Sequence, residues 1–380
     1  MSSQDSLHWL ASRLRAVADS IPQQRVVAGF DGFVDEIISV VQERRNLTDW
    51  KPVSDIPSFN ALIAKAAGHS SLREIVINRL DAGGCAVNFA DGIAELGVSV
   101  DCFATMGTPR HPAFDDLARK LHGCHSWGRE YGRTLAFEFN DGKLMYSAVA
   151  QLAEFDVALL DRVLSDGTYL QACQQARVIA LTDWTLYPHM TACWRALQEQ
   201  VYAKLTHQPA FFIDLVDPST RSDADIRAML EVLSGFEAHG KTVLGLNGNE
   251  ANILSRLLDL NLTGTDIAEV KKQAIALRDR LALAQILIHH RKFAVVADAS
   301  GVHHAHGPFC AAPKKSTGAG DRFNAGYCLG LLLELDPVSC LNLAAAVTGF
   351  FVRQGRSATL AELIPFIENW AKDNPDALTL

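Results

Sequence analysis

The chain has 380 residues, a formal net charge of -8 and 21% charged residues. This solvated, mildly acidic balance carries no electrostatic footprint for nucleic acid or an anionic membrane, which removes both from the expected partners. The length suits one large α/β unit, and no uncharged apolar run approaches the roughly 18 residues that a membrane span requires.

Residues 6–17 set Leu7, Leu10, Leu14 and Val17 at helical spacing with arginines between them, which reads as an amphipathic helix rather than a secretory leader. The eight cysteines are scattered with no CxxC pair, several of them in apolar runs, so they read as reduced core residues of a cytoplasmic protein. Residues 25–30 form a short buried strand, and apolar strand-like runs recur at 98–104, 177–181, 210–215, 242–246 and 284–288. Helical patterns at 88–96, 190–205, 224–233 and 250–260 lie between most of them. Parallel neighbours need long crossovers, usually helical, so this alternation predicts a doubly wound, mostly parallel sheet with helices on both faces. One segment breaks the rhythm. Residues 133–148 alternate polar and apolar around Asn140-Asp141-Gly142, a hairpin signal, because these residue types tolerate the turn's positive φ. Segments of roughly 33–42 and 131–148 would form a small β lid, the alternative being a simple edge hairpin. After Asp321 the pattern is purely helical at 322–335, 337–353 and 360–372, the second helix opening on Pro337. No repeat or linker interrupts the chain, so residues 1–380 read as a single domain.

Chemistry concentrates at Lys314-Lys315-Ser316-Thr317-Gly318-Ala319-Gly320-Asp321-Arg322-Phe323, where small residues open a helix. Small residues let backbone approach a ligand, and the free N–H groups of a helix start attract anions. A carboxylate beside such a loop is a minimal apparatus for phosphoryl transfer, in which the protein positions charge and one base accepts the proton of the attacking hydroxyl. The competing reading makes Asp321 a helix N-cap after a glycine turn. Three further clusters stand out: Asp31 and Asp35 in Gly29-Phe30-Asp31-Gly32-Phe33-Val34-Asp35, Gly83-Gly84-Cys85-Ala86-Val87-Asn88-Phe89-Ala90, and Asn247-Gly248-Asn249-Glu250. Asp183 and Trp184, after a strand, are placed as pocket walls. His303, His304 and His306 alternate faces on a strand and lack a third metal ligand on one side.

These residues resemble the ribokinase, or PfkB, family of carbohydrate kinases. Gly318-Ala319-Gly320-Asp321-x-Phe323 is similar to its C-terminal signature and Gly83-Gly84-x-x-x-Asn88-x-Ala90 to its N-terminal one. Asp217-Pro218-Ser219-Thr220-Arg221 and Asn247-x-x-Glu250 are similar to two patterns between them, in the family's order. The resemblance implies a kinase moving the γ-phosphoryl group of ATP to a hydroxyl of a sugar, with Asp321 as base and the N–H groups of Gly318, Ala319 and Gly320 as anion hole. It implies that Glu250, with Asn247, organises Mg2+ through water, and that Thr317 and Lys315 belong to the nucleotide side. Substrate hydroxyls would fall to Asp35, with Asp31 competing, and to Gly83, Gly84 and Asn88. A lid-mediated homodimer is a further implication. Two departures bear on the donor: Lys315 stands where the family commonly has an aspartate, and Ile288-His289-His290-Arg291-Lys292-Phe293 lacks both glycines of a nucleotide-binding stretch. A nucleoside or ADP-dependent kinase of the same fold and a non-catalytic sugar-binding protein remain alternatives.

Overall fold

Short runs of branched and aromatic residues, buried on both faces, form the centre of the molecule, which the computed structural model describes over residues 3–372. The strands are β1 (Arg25–Phe30), β2 (Phe33–Arg44), β3 (Trp50–Pro52), β4 (Ile75–Gly83), β5 (Ser99–Ala104), β6 (Gly123–Ser126) and β7 (Gly132–Phe139), followed by β8 (Gly142–Ala148), β9 (Val178–Thr182), β10 (Ala210–Asp214), β11 (Lys241–Asn247), β12 (Gln285–His289), β13 (Phe293–Asp298) and β14 (Gly301–His306). A nine-stranded sheet runs β14-β13-β12-β11-β10-β9-β1-β5-β6. It is parallel from β6 to β12, and β13 and β14 close one edge antiparallel. This is the doubly wound α/β architecture that the strand-helix alternation predicts.

Each face of the sheet buries its own core. Val26, Ala28, Val100 and Val296 point into a layer with the helices Ser3–Val17, Cys85–Glu95, Ala319–Leu332, Pro337–Gln354 and Leu360–Lys372. Val27, Ile179, Ile213 and Leu244, one residue out of phase, pack against helices such as Met190–Gln200 and Ile267–Leu281 on the other side. The period-two alternation of side chains thus sorts one apolar run into two cores. Among the described residues, no helix is long and apolar enough to cross a membrane.

β1 continues through Asp31 and Gly32 into β2, which leaves the main sheet and becomes the centre of a second, five-stranded one. There β2 pairs antiparallel with β3 and β4 and parallel with β7, and β7 turns through Asn140-Asp141 into β8, with Phe139 opposite Gly142. β3 and β4 are strands that the sequence pattern does not announce. β4 ends at Gly83 opposite Phe33, and the helix Cys85–Glu95 starts at once beyond Gly84. The start of β2, the end of β4 and the carboxyl end of β1 therefore meet at one corner, beside the point where the chain leaves β1 on opposite sides for β5 and β9. In open α/β sheets, ligands bind at such a switch point.

Candidate active site

The helix Ala319–Leu332 begins three residues earlier than its apolar pattern does, and this decides between the two readings of Asp321. Its N-cap is Gly318 in the left-handed region, φ 82°, so Asp321 lies in the first turn and caps nothing. The Ala319 N–H donates to Ser316 O at 3.1 Å and Arg322 N–H to Gly318 O at 3.2 Å. The N–H groups of Gly318, Gly320 and Asp321 have no backbone acceptor among the described residues, as expected at the head of a helix. Positive partial charge is thus concentrated beside a carboxylate that is only 7% exposed.

Asp321 does not stand alone. The carboxyl ends of β1, β9 and β10 bring Asp31, Asp183 and Asp214 around it, and burial holds all three above the usual carboxylate range. Burial first, and then repulsion from Asp214, pushes Asp321 up to about 7, with Arg322 pulling the other way. The Cys85 thiol donates to the Asp321 carboxylate, and burial together with the surrounding acids keeps that thiol protonated. A carboxyl group titrating near neutrality can take a proton from an alcohol and return it to water.

Two cavities meet at this carboxylate's loop. The first, about 950 Å3, is lined by Asn247, Asn249, His290 and Arg291 on one side and by Ala319, Gly320, Phe323, Ala345 and Val352 on the other. The second, about 890 Å3, lies under the small sheet and is lined by Asp35, Asp81, Arg79, Lys143, Asn88, Lys315 and Thr317. Pro313 and Ser316 line both, so the loop before Gly318 is the partition between them. Lys315 and Thr317, which the sequence reading places on the nucleotide side, line the second cavity.

Asp31 and Asp35 have different surroundings. Asp31 is fully buried and reaches neither cavity; its carboxylate accepts from Thr182 Oγ1 at 2.7 Å, from Ala86 N–H at 2.8 Å and from Cys85 N–H, anchoring the helix that follows Gly84. A Cβ on Gly84 would lie 2.9 Å from that carboxylate. Asp35 faces the second cavity, opposite Asp81 across the β2–β4 pair; burial and then Asp81 raise it, while Thr134, Lys143 and Lys315 oppose the rise. Gly83 packs on it so closely that a Cβ would stand 2.6 Å from Oδ2. Gly83→Ala is therefore expected to displace the Asp35 carboxylate and raise KM for the ligand of the second cavity roughly 10–10²-fold, with KM for the first-cavity ligand unchanged. Steady-state titration of each ligand separates the two effects.

Asn247 and Glu250 form a capping box at the helix Gly248–Leu257: Asn247 N–H and Nδ2 donate to Glu250 at 2.8 and 2.7 Å, and Asn249 and Glu250 N–H donate to Asn247 Oδ1. This helix-ordering role does not use up the carboxylate. Burial and then repulsion from Asp214 push Glu250 up to about 8. Among the described residues, no group of three His, Cys, Asp or Glu is placed to hold a metal ion directly. Two buried, mutually repelling carboxylates, Glu250 and Asp214, the first bonded to Asn247 of the first cavity's wall, fit a dication held through its own water, the habit of Mg2+.

Trp184 is fully buried and lines neither cavity; it carries the Arg221 guanidinium 4.2 Å above its ring, and Arg221 donates to the carbonyls of Thr185 and Tyr187. The Asp217–Arg221 motif thus braces the loop after β9. Residues that sequence reasoning did not single out include Asp81, Arg79 and Lys143 of the second cavity, Asp214 and Cys85. For Cys85 a signal was present, since it directly follows the two glycines. Asp81 and Arg79 gave none, because β4 was not legible, and Lys143 stood on the predicted hairpin with nothing to mark the face it lines.

The chain matches the model of the prokaryotic ketohexokinase family over residues 4–370. It is 26% identical over 359 residues to a ketohexokinase from Haloferax volcanii, covering 93% of this chain and 94% of that one. Among solved structures, a fructokinase from Xylella fastidiosa with bound ATP superposes with a TM-score of 0.60 at 16% identity, over 92% of this chain and 99% of the other. A nucleoside kinase from Burkholderia thailandensis in complex with inosine gives 0.59 at 15% identity, over 91% and 98%. These structures share the fold.

Proposed function

The chain belongs to the prokaryotic ketohexokinase family, and from that premise we propose that it transfers the γ-phosphoryl group of ATP to a hydroxyl of a ketohexose, with Asp321 as general base. It is a sugar kinase, a phosphotransferase with an alcohol acceptor. The observation that carries the finer reading is the meeting of the two cavities at Ser316, with a near-neutral carboxyl group immediately beyond.

In this reading ATP occupies the first cavity. Its base lies on the apolar wall of Ala345, Gly349 and Val352, and its phosphates point toward Gly318–Gly320. The sugar occupies the second cavity, its hydroxyls paired with Asp35 and Asn88. Asp321 accepts the proton of the attacking hydroxyl as the oxygen–phosphorus bond forms and the bond to the leaving ADP breaks. The N–H groups of Gly318, Gly320 and Asp321 face the negative charge that develops on the transferred group. When bound, Mg2+ would neutralise charge on the nucleotide phosphates, with Glu250 and Asp214 as its water-mediated anchors. In this reading the small sheet closes over the bound sugar and so limits wasteful hydrolysis of the nucleotide.

A matrix of ATP, GTP and ADP against D-fructose, aldohexoses and nucleosides tests the assignment. ATP with a ketohexose is expected to give the highest kcat/KM; product only from nucleosides, or only from ADP, would overturn it. Glu250→Gln can still accept from the Asn247 N–H but loses the Asn247 Nδ2 bond and the ionisable group, so it should raise the Mg2+ concentration for half-maximal rate about tenfold while leaving sugar KM unchanged.

A further inference from the structure

Arg322 follows the base, and its side chain is 5% exposed. Two of its guanidinium nitrogens are tied into the fold: Nη2 pairs with Asp91 Oδ2 at 2.8 Å and Nε donates to Ser357 Oγ at 3.2 Å. The third, Nη1, is buried and has no hydrogen-bond partner among the described residues. It lies under the glycine turn: a Cβ built on Gly318 would stand 2.8 Å from Nη1 and 3.3 Å from Nδ2 of Asn88, a residue that lines the sugar cavity. The Arg322 guanidinium also sits 4.6 Å above the Phe351 ring, and Nζ of Lys315 sits 5.8 Å from the same ring. Lys315 forms no ion pair among the described residues. Two cations held against one aromatic ring, with a buried N–H left unpaired between an amide and a glycine turn, form an arrangement that a neutral sugar does not satisfy. An anion with several acceptor oxygens does.

We infer that Arg322 Nη1, with Asn88 Nδ2 and Lys315, forms a subsite for the phosphoryl group as it arrives on the sugar, so that Arg322 binds the phosphorylated product and the transition state but not the free sugar. This rests on the sugar-kinase reading above and adds to it a side-chain cation beneath Gly318, behind the loop that separates the two cavities. The glycine at position 318 follows from the same geometry, because any side chain there would occupy the space where Nη1 and Asn88 converge.

The test is equilibrium binding, without nucleotide, of D-fructose, of each D-fructose monophosphate and of inorganic phosphate to wild type, Arg322→Lys, Arg322→Ala and Ser357→Ala, alongside kcat. In both Arg322 variants the tighter-binding monophosphate should weaken by about tenfold or more, free fructose should stay within about twofold, and kcat should fall about 10²–10³-fold. Ser357→Ala, which removes the hydrogen bond from Nε and the one that Ser357 Oγ donates to Asp91 but leaves Nη1 and the Asp91 ion pair in place, should leave the ratio of the two affinities unchanged. Monophosphate binding as tight in Arg322→Lys as in wild type, a parallel loss for fructose and its phosphate, or the same loss in Ser357→Ala would overturn the assignment. Should wild type neither bind nor phosphorylate a ketohexose, the substrate reading fails. Inorganic phosphate still reports on Arg322, since its binding must then weaken in the Arg322 variants for the subsite to stand.

Discussion

Asp321→Asn is expected to lower kcat about 10²–10⁴-fold, the usual worth of a positioned general base, while KM for sugar and nucleotide changes little. The amide retains the shape of the carboxylate and can still accept from the Cys85 thiol, but it cannot take the hydroxyl proton. The same substitution should stabilise the fold, and the sign follows from the pKa. The folded-state value is about 7 against 3.8 for an ordinary aspartate, because ionisation must occur in a buried site beside Asp214. Below pH 4 the group is protonated both folded and unfolded, and the substitution gains nothing. Between pH 4 and 7 the unfolded chain ionises and the folded one does not, so the wild type loses stability progressively; above pH 7 the loss is constant, on the order of 2–4 kcal/mol. Thermal unfolding of the two proteins at pH 4, 6 and 8 should therefore diverge with rising pH. Wild-type kcat/KM should rise through about pH 7 as Asp321 becomes a carboxylate. Near-normal turnover in Asp321→Asn, or a gain in stability that shrinks as pH rises, would remove Asp321 from the role of base.

The main sheet was legible in the sequence because its physics is local and strong. β1, β5 and β9 to β12 are short apolar runs separated by helical periodicity, and burial on both faces makes each one nearly continuous. The small sheet was legible at β2, as the segment of roughly 33–42, and at β7 and β8, where Asn140-Asp141-Gly142 marks the turn. β4 reads Ile75-Val76-Ile77-Asn78-Arg79-Leu80-Asp81, with Ile75, Ile77 and Leu80 substantially exposed, so neither face carries a consistent apolar stripe. It is a strand because β2 offers it an edge, and pairing of that kind is invisible to a local pattern. For the same reason Asp81 and Arg79 could not be assigned to a pocket, and Lys143, on the legible β8, lacked the neighbours that β4 supplies, whereas Asp321, Asn247 and Glu250 announced themselves at helix starts. Asp214 and Asp31, the carboxylates that raise the pKa of Asp321, come from the ends of two different strands, and only the topology shows that they face it.

Exchanging the two N-terminal aspartates one at a time should separate fold from recognition, with effects nearly as large as those at Asp321. Asp31→Ala leaves the N–H groups of Cys85 and Ala86 and the Thr182 hydroxyl without their acceptor in a fully buried place. At about 1–3 kcal/mol for each stranded donor, partly offset by removal of a buried carboxyl group, the expected loss is roughly 3–5 kcal/mol, a large share of a typical domain's stability. Asp35→Ala removes no hydrogen bond on which a helix start depends. Its Oδ atoms pack on Gly83, its neighbour across the strands is another acid, and loss of that repulsion offsets the lost contact with Thr134. The fold should lose less than about 1 kcal/mol, whereas KM for the sugar should rise about 10²-fold, since a hydrogen bond from a hydroxyl to a charged partner is worth roughly 1.5–3 kcal/mol. Urea titration and sugar KM, measured on both variants, give four numbers with opposed expectations. A stable Asp31→Ala protein with a raised sugar KM, beside an Asp35→Ala protein with normal KM, would move recognition of the sugar from the lid strand β2 to the end of β1. It would also require Asp31 to leave the helix start that it now holds, because its two oxygens cannot bind those three donors and reach across into the second cavity at once.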